Sequence, residues 1–232
     1  MSTDQKTLSI SIIIPTYNEA GNISMFLPEL LAIPGAEVIV ADGGSSDDTV
    51  DRAKTMGAIV CSAPRNKALQ MNAGARIARS GTLLFLHADT RLVSGFAEKI
   101  HQALSQPGVA AGAFRLKIDG KKSGLRVIEW LVNIRSRVLQ MPYGDQGIFV
   151  RVEMFSAVGG FPAIPIMEDF EMIRELKRKG RIKILLLAAT TSPRRWEKLG
   201  ILRTTFINQI IIIGYLLGVK PQRLAEWYSK AR

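Results

Sequence analysis

The chain has 232 residues, of which 47% are hydrophobic and 22% charged. This composition supplies enough apolar surface for one sizeable core and excludes a disordered or collagen-like chain. The formal net charge is +11, and the excess lies beyond residue 100, where 22 Lys and Arg stand against 10 Asp and Glu. Such a field favours phosphates, anionic lipid headgroups or nucleic acid without choosing among them, and solvated basic faces are the plain alternative.

Cysteine usage and hydropathy indicate the compartment. The single cysteine, Cys61, has no intrachain disulfide partner, which is typical of a reducing environment. The first ten residues show no basic start, apolar run and cleavage site in order, so no secretory signal is predicted. The most apolar segment, residues 210–219, is shorter than the ~20 residues needed to cross a bilayer. We therefore predict a cytoplasmic protein in which this segment is buried or interfacial.

The first hundred residues alternate between strand and helix patterns. The β-branched run at 8–14 stops at Pro15, which cannot continue a ladder. Asn22 and Ser46 are predicted helix caps, and Gly57 marks a helix end. The predicted strands are 8–14, 37–41, 58–62 and 82–86, and the predicted helices are 22–31, 46–57 and 66–79.

This repeated alternation predicts an α/β fold with a parallel, doubly wound sheet. Ligands bind such sheets beyond the carboxyl ends of the strands. Four polar side chains follow predicted strands at that edge, namely Tyr17, Asp42, Arg65 and Asp89. A binding site is therefore predicted there.

The second half is predicted to be mixed α/β. A strand is expected at 109–116, a helix at 123–139, and a second helix from Glu168 to the residue before Gly180. A glycine-punctuated stretch lies between them at 143–147. No repeat or linker divides the chain. We predict one domain over 1–232, with a nucleotide-binding part at about 8–100, a catalytic part at about 101–199, and a C-terminal helical extension at 200–232.

Several ordered motifs together resemble the family 2 glycosyltransferases of the GT-A fold, over almost the whole chain. The motifs are PTYNE at 15–19, DGGSSD at 42–47, PRNKALQMNAG at 64–74, HADT at 87–90, YGDQG at 143–147, MED at 167–169 and TSPRRW at 191–196. Their order is similar to a bacterial branch known as the radical-SAM/selenodomain-associated glycosyltransferases. The resemblance implies a Rossmann-like, mostly parallel sheet flanked by helices, and a UDP- or GDP-linked sugar donor.

The resemblance also implies a donor site. Thr16, Tyr17 and Glu19 would line the nucleoside pocket, and Asp42 would accept a hydrogen bond from the base. The alternative for Asp42 is that it only organises the turn before a helix.

A phosphate site is indicated where a loop enters a predicted helix. Arg65 and Lys67 lie there, where charge and helix dipole suit the diphosphate. Gln70 and Asn72 are assigned either to ribose or sugar hydroxyls, or to helix-surface hydrogen bonds.

The family's metal motif is Asp-x-Asp, and this chain has His87-Ala88-Asp89 in its place. One carboxylate with phosphates and waters is enough for a hard cation, so Asp89 is predicted to bind Mn²⁺ or Mg²⁺. Whether His87 contacts the metal, the ribose or water is left open by the departure from the motif.

Transfer to an acceptor hydroxyl needs a general base. Asp169 matches the family base, and Glu168 would shape the acceptor side; helix capping by either acid is the alternative. Since the implied machinery has no enzyme nucleophile, it implies direct displacement with inversion at the anomeric carbon.

Two further groups are assigned to the cleft. Arg194, Arg195 and Trp196 would close over the diphosphate or stack on the acceptor. Ser192 stands near the glutamine position of processive relatives, so processivity is not predicted. Asp145 and Gln146 are expected to face the acceptor.

Other functions and partners stay open at this point. A sugar-nucleotidyltransferase is one alternative, although residues 15–22 lack the Lys or Arg of its phosphate loop. A basic nucleic-acid-binding module is another, although an aromatic stacking platform is missing, so no nucleic-acid partner is predicted. The apolar helix around residues 206–217 has two interpretations. It seats the enzyme on the inner face of the cell membrane beside a lipid-linked acceptor, or it packs on the core or on a second subunit of a homodimer.

Overall fold

The computed structural model describes residues 10–231, and the side chain of Arg195 lies outside the described part. The predicted alternation of the first half is confirmed. Its elements are β1 (Ile10–Thr16), α1 (Ala20–Leu31), β2 (Ala36–Asp42), α2 (Thr49–Thr55), β3 (Ile59–Ser62), α3 (Lys67–Ile77) and β4 (Thr82–Phe85). Residues 8 and 9 of the first predicted strand fall outside the described range.

Two of the predicted helix caps are wrong. Asn22 lies inside α1, where its side-chain amide donates to Glu19. Helix α2 begins after Asp48 rather than at Ser46. The reason is that Ser46 is used elsewhere: its backbone N–H, over 2.9 Å, and its hydroxyl, over 3.4 Å, both donate to Asn18 Oδ1 and fasten two loops together. Gly57, with φ of 96°, ends α2 as expected.

The second half contains more strands than its sequence pattern indicated. Its elements are β5 (Thr90–Leu92), α4 (Phe96–Leu104), β6 (Val109–Ile118), α5 (Ser123–Leu139), a 3-10 turn (Gly144–Gln146), β7 (Ile148–Arg151), α6 (Val152–Ala157), α7 (Glu168–Lys179), β8 (Arg181–Thr191), α8 (Arg194–Leu199), α9 (Ile201–Leu216) and α10 (Pro221–Lys230). The expected helices α5 and α7 are confirmed at their predicted limits. The strands β5, β7 and β8 were not predicted.

The eight strands within residues 10–231 form one sheet in the order β3-β2-β1-β4-β7-β6-β8-β5. Strands β1 to β4 are mutually parallel, β7 runs antiparallel between β4 and β6, and β5 runs antiparallel beside β8. Six strands therefore point one way, with β5 and β7 reversed. This is the expected α/β fold with a mixed second half.

Helices cover both faces of the sheet. On one face Ile12, Leu27 and Ile100 belong to a buried cluster under α1 and α4. On the other, Ile13 and Met71 belong to a cluster under α3, α6 and α7. Because the strands are buried on both sides, β1 reads as a nearly continuous apolar run rather than an alternating one.

A third, smaller apolar cluster lies under the C-terminal helices. Ile118 of β6, Leu125 of α5 and Trp196 of α8 are buried there, with Ile201 of α9 packed against them. This cluster attaches α8 and α9 to the domain. Within residues 10–231, no helix is both long enough and apolar enough to cross a bilayer.

Candidate active site

Strand direction brings the chemically distinctive motifs to one edge of the sheet. Thr16 ends β1 opposite Asp42, which ends β2. Phe85, which ends β4, pairs with Ile148 at the start of β7, so the turn before β7 reaches the same edge. Strand β8 runs parallel to β6, and its last residue, Thr191, pairs with Ile118, so the segment from 192 also leaves from that edge. The residues predicted to form the site therefore lie together at this edge of the sheet.

Asp42 is buried and forms the centre of a tight turn. Its two carboxylate oxygens accept hydrogen bonds from Gly44 N and Ser45 N, both over 2.8 Å, from Ser45 Oγ over 2.5 Å and from Thr16 Oγ1 over 3.2 Å. The turn-organising role considered above is therefore observed. A base N–H at Asp42 would have to share an oxygen that already accepts two bonds.

The ends of β1 and β2 are held to α3 by Gln70. Its side-chain amide donates to the carbonyls of Thr16, over 2.7 Å, and Ala41, over 2.8 Å. Gln70 therefore fixes the backbone beneath the predicted donor site. Beside it, the guanidinium of Arg65 stacks 3.6 Å from the ring centroid of Tyr17, which joins the predicted nucleoside and phosphate residues in one contact.

A second contact joins three further predicted residues. Arg194 Nη2 lies 3.5 Å from Asp89 Oδ2 and 3.8 Å from Glu19 Oε2. All three side chains keep substantial exposure, with 26% of the Asp89 side chain open to solvent. The two carboxylates and the guanidinium therefore lie at the solvent-accessible surface of the site rather than in the core.

Asp169 lies in the first turn of α7, after Met167 in a left-handed conformation with φ of 71°. Neither Asp169 nor Glu168 caps the helix, since the cap residue is Met167. Asp169 Oδ2 accepts a hydrogen bond from Gly144 N over 3.0 Å. Helix α7 is thereby tied to the turn before β7.

The electrostatic setting of Asp169 is unusual for a carboxylate. Burial of the group is the main cause that raises its pKa to about 7, and the charge of Glu168 adds to the rise. Lys67 acts in the opposite direction, and Asp145 adds a small further rise. The residue as a whole remains half-buried. Its carboxyl group therefore changes charge near neutral pH, in a residue that keeps part of its surface accessible.

Lys67 and His87 complete a compact cluster around Asp169. Lys67 Nζ lies 3.1 Å from His87 Nε2. A side chain at Gly144 would come within 3.0 Å of His87 Nε2 and 2.9 Å of Asp169 Cγ. Only a glycine leaves both groups in place. The sequence pattern had not singled out Gly144 as a site residue, nor linked Lys67 to Asp169.

Two predicted side chains, those of Asn72 and Gln146, are engaged away from the cleft. The Asn72 amide exchanges two hydrogen bonds with the backbone of Phe161, over 2.8 and 3.0 Å, which favours its structural alternative. Gln146 is fully buried and bonds to Ser136 Oγ and to the Phe114 carbonyl, so its side chain does not face an acceptor.

Trp196 is buried in the third apolar cluster, so its indole is not presented for the predicted stacking. The prediction for Arg195 falls on a side chain outside the described part of the structure. Asp145, in the 3-10 turn, is half-buried and close enough to influence Asp169.

Comparison with known proteins adds the family. The sequence model described as Glycosyl transferase family 2 matches residues 11–159. The chain belongs to glycosyl transferase family 2. The matched part includes the Asp42 turn, the His87–Asp89 segment and the turn containing Gly144, whereas α7 with Asp169 lies beyond it.

A curated relative of this family 2 chain is the uncharacterized protein MT1568 of Mycobacterium tuberculosis. The two are 32% identical over 128 residues, which are 49% of this chain and 38% of the relative. The chain therefore spans less than half the length of the curated relative that it matches.

Solved structures show the same GT-A fold. A Pyrobaculum calidifontis mannosyltransferase, PcManGT, solved with GDP-Man and Mn²⁺, superposes with a TM-score of 0.67 at 18% identity, over 96% of this chain and 69% of the other. The glucosyl-3-phosphoglycerate synthase of M. tuberculosis, solved with Mn²⁺, UDP and glucosyl-3-phosphoglycerate, gives 0.60 at 19% identity, over 87% and 78%. At these identities the likeness establishes the fold.

The side chains at this site could bind a metal ion in one way. Among the described residues, no group of three or more His, Cys, Asp or Glu side chains is arranged to hold an ion. Asp89 is accessible, and a hard cation takes its remaining oxygens from phosphates and water. The residues present therefore fit a cation shared with a bound diphosphate rather than a closed protein cage.

Proposed function

We propose that the protein is a metal-dependent, inverting glycosyltransferase that moves a sugar from a UDP- or GDP-linked donor to an acceptor hydroxyl, with Asp169 as the general base. One observation supports this most: Asp169, a half-buried residue whose carboxyl pKa is raised to about 7, lies at the sheet edge where nucleotide ligands bind in such folds. A pKa near the working pH is what a general base needs.

The proposed donor side is built from the first half. Tyr17 and Arg65 flank the nucleoside and the adjoining phosphates, since their stacked side chains combine an aromatic face with a cation. Arg194 and Lys67 add positive charge on either side of this pocket. A divalent cation held by Asp89 would neutralise charge that develops on the departing diphosphate.

The proposed chemistry needs one proton transfer and one displacement. Asp169 takes the proton of the acceptor hydroxyl while its oxygen forms a bond to the anomeric carbon. The bond from that carbon to the diphosphate oxygen breaks, and the diphosphate leaves with the electron pair. Attack opposite the leaving group inverts the anomeric configuration. The Gly144 N–H holds Asp169 Oδ2, which leaves Oδ1 for the proton.

The role of Asp169 is tested by Asp169→Asn, which keeps size and the hydrogen bond from Gly144. Turnover is expected to fall by roughly two to four orders of magnitude with donor affinity nearly unchanged, because proton removal contributes about that much. Glu153→Gln, on the exposed side of α6, is the matched control. Near-normal turnover in folded Asp169→Asn protein would exclude this role.

The donor is identified by a thermal-shift panel of UDP- and GDP-sugars with and without Mn²⁺. A ligand that binds only the native state raises the melting temperature in proportion to its occupancy. We expect one nucleotide class to stabilise the protein, and more strongly with the metal present. Stabilisation by a nucleoside triphosphate together with a sugar 1-phosphate would instead favour the nucleotidyltransferase alternative.

A further inference from the structure

Helix α9 carries an apolar face, interrupted by the exposed Gln209, that the domain does not cover. Its buried face contains Thr204, Ile211 and Gly214. The opposite face repeats at intervals of three and four residues, which places its members in one stripe. The exposed members are Leu202, Phe206, Ile210, Ile213, Leu216 and Leu217. Leu202 is 86% and Leu217 80% exposed, so these are whole side chains in solvent.

Helix α5 carries a second stripe of the same kind. Its exposed apolar side chains are Val127, Trp130, Leu131, Ile134 and Val138, again spaced by three and four residues. Trp130 is 63% exposed. The two helices meet at their N-terminal ends, where a Cβ on Gly124 would lie 2.9 Å from Ile201 Cδ1. The two stripes are together called the α5–α9 surface below.

The charge around the α5–α9 surface is mostly positive. Residues 121–140 hold five Lys and Arg against one acid, Glu129, which is paired with Arg126. Residues 198–223 hold four basic residues and no acid. Monomeric soluble proteins rarely leave large apolar patches open to water, and such patches mark protein or membrane contacts.

We propose that the α5–α9 surface docks on a membrane that carries anionic headgroups. Apolar side chains bordered by Lys and Arg suit the boundary between acyl chains and headgroups, and an exposed tryptophan is typical of that boundary. A symmetric dimer through the same patch fits less well. It would place identical basic borders against each other, because a two-fold interface pairs a patch with its own copy.

The α5–α9 surface is connected to the candidate base. Tyr215, on the face of α9 opposite the stripe, donates a hydrogen bond to Glu171 Oε1 over 2.5 Å. Its ring also packs edge-on against Phe170, with centroids 5.7 Å apart. Both partners follow Asp169 directly in α7. Helix α9 alone separates this contact from the stripe, a distance of roughly one helix diameter, about 10 Å. Resting on the proposed function, this assigns the acceptor to membrane-borne, amphiphilic molecules.

Vesicle co-sedimentation tests the surface without donor or turnover. The purified protein is mixed with vesicles of phosphatidylcholine alone, or of phosphatidylcholine and phosphatidylglycerol in equal parts. We expect binding to the anionic vesicles that weakens with salt. Phe206→Gln/Ile213→Gln and Trp130→Gln should each lower the partition coefficient by roughly tenfold. Arg203→Gln and Lys220→Gln should lower it by roughly fivefold each.

Matched controls separate the surface from general stickiness. Met25→Gln removes an apolar side chain that is 58% exposed on α1, and Lys54→Gln removes a cation from α2; neither should change binding. Ile211 is left intact because it is buried.

Three results would overturn the proposal. The first is that the protein does not bind anionic vesicles, and the second is that the control variants lose as much binding as the surface variants. The third is a protein that does not bind vesicles but forms a dimer that Phe206→Gln/Ile213→Gln dissociates. Because vesicle binding is measured without donor or turnover, failure of the surface and failure of the transferase proposal are distinguishable.

Discussion

The environment of Asp169 gives the proposed base a defined working range of pH. A base must be ionised to accept a proton, and the pKa of this carboxyl lies at about 7. We expect kcat/KM to fall as the pH drops below about 7 and to level off above it. Lys67→Met removes the cation that lowers this pKa, so the fall should move to higher pH, and Lys67→Arg should restore it. A pH profile of Lys67→Met that matches the wild type would contradict this coupling.

The raised pKa of Asp169 also predicts that stability falls with rising pH, whereas kcat/KM rises. Between about pH 4 and pH 7 the native state holds a proton on Asp169 that the unfolded chain has released. The free energy of unfolding therefore falls as the pH rises through that window. The cost is at most about 4 kcal/mol for a shift of this size.

Asp169→Asn removes this titration. The variant is expected to be more stable than the wild type at pH 8 and nearly equal to it at pH 4. Denaturant titrations at the two pH values measure the difference, and an equal ranking at both would contradict the raised pKa.

Asp89 and Arg194 are adjacent, but their substitutions are predicted to change nucleotide binding in different ways. Asp89→Ala should abolish the gain in nucleotide affinity that Mn²⁺ provides, because the ion loses its protein carboxylate. Arg194→Gln should weaken diphosphate binding by roughly tenfold with and without the metal, because it removes a charged hydrogen-bond donor. Calorimetry with UDP and GDP in both conditions separates the two. Asp51→Ala, on the exposed side of α2, is the control. An intact metal effect in Asp89→Ala would reject the metal assignment.

At the scale of elements, the third apolar cluster holds the C-terminal helices on the sheet. Trp196 is its largest side chain, so Trp196→Ala should lower the free energy of unfolding by about 3 kcal/mol. Nucleotide affinity of the remaining folded protein should hardly change, since the indole is buried. Trp130→Ala, at an exposed position, should cost less than about 1 kcal/mol. Chemical denaturation and calorimetry provide both readings. If a stable Trp196→Ala protein loses nucleotide affinity, Trp196 contributes to nucleotide binding after all.

Elements with strong local signals could be predicted from the sequence, whereas those that depend on pairing with distant segments could not. Helix α7 is indicated by acids in its first turn and basic residues in its last, where they interact favourably with the helix dipole. Strand β7 has four residues, as β3 and β4 do, but it lies outside the strand–helix alternation that identified those two, between a 3-10 turn and α6. The Ser46 cap fails because its partner, Asn18, lies 28 residues away, beyond the reach of local rules.

The candidate site divides in the same way. Residues at strand ends, such as Asp42 and Asp89, were predicted because the topology alone takes them to one edge. Residues placed by tertiary packing were not. Gly144 reaches Asp169 across 25 residues, and nothing in the YGDQG motif indicates that contact. Trp196 follows two arginines, which favoured a binding role, yet its side chain is buried in the third apolar cluster.

At the scale of the whole molecule, one sheet runs through both sequence halves. Strand β4, from the first half, pairs with β7, from the second, over four residue pairs. Both clusters that cover the sheet also draw buried residues from each half. A core shared in this way couples the halves, so we predict that they unfold in one cooperative transition.

The chain carries its own probes for this prediction. Its three tryptophans all lie beyond residue 100, whereas its single cysteine, Cys61, lies in β3 at the far edge of the sheet. Tryptophan fluorescence therefore reports on the second half alone, and pulsed thiol labelling reports on the first. Burial raises the pKa of the Cys61 thiol, which slows labelling of the native protein and sharpens the contrast on unfolding. In a urea titration, the two probes should give the same midpoint, and far-UV circular dichroism should agree with both. A tryptophan transition completed before Cys61 becomes reactive would instead show that the halves fold as separate units.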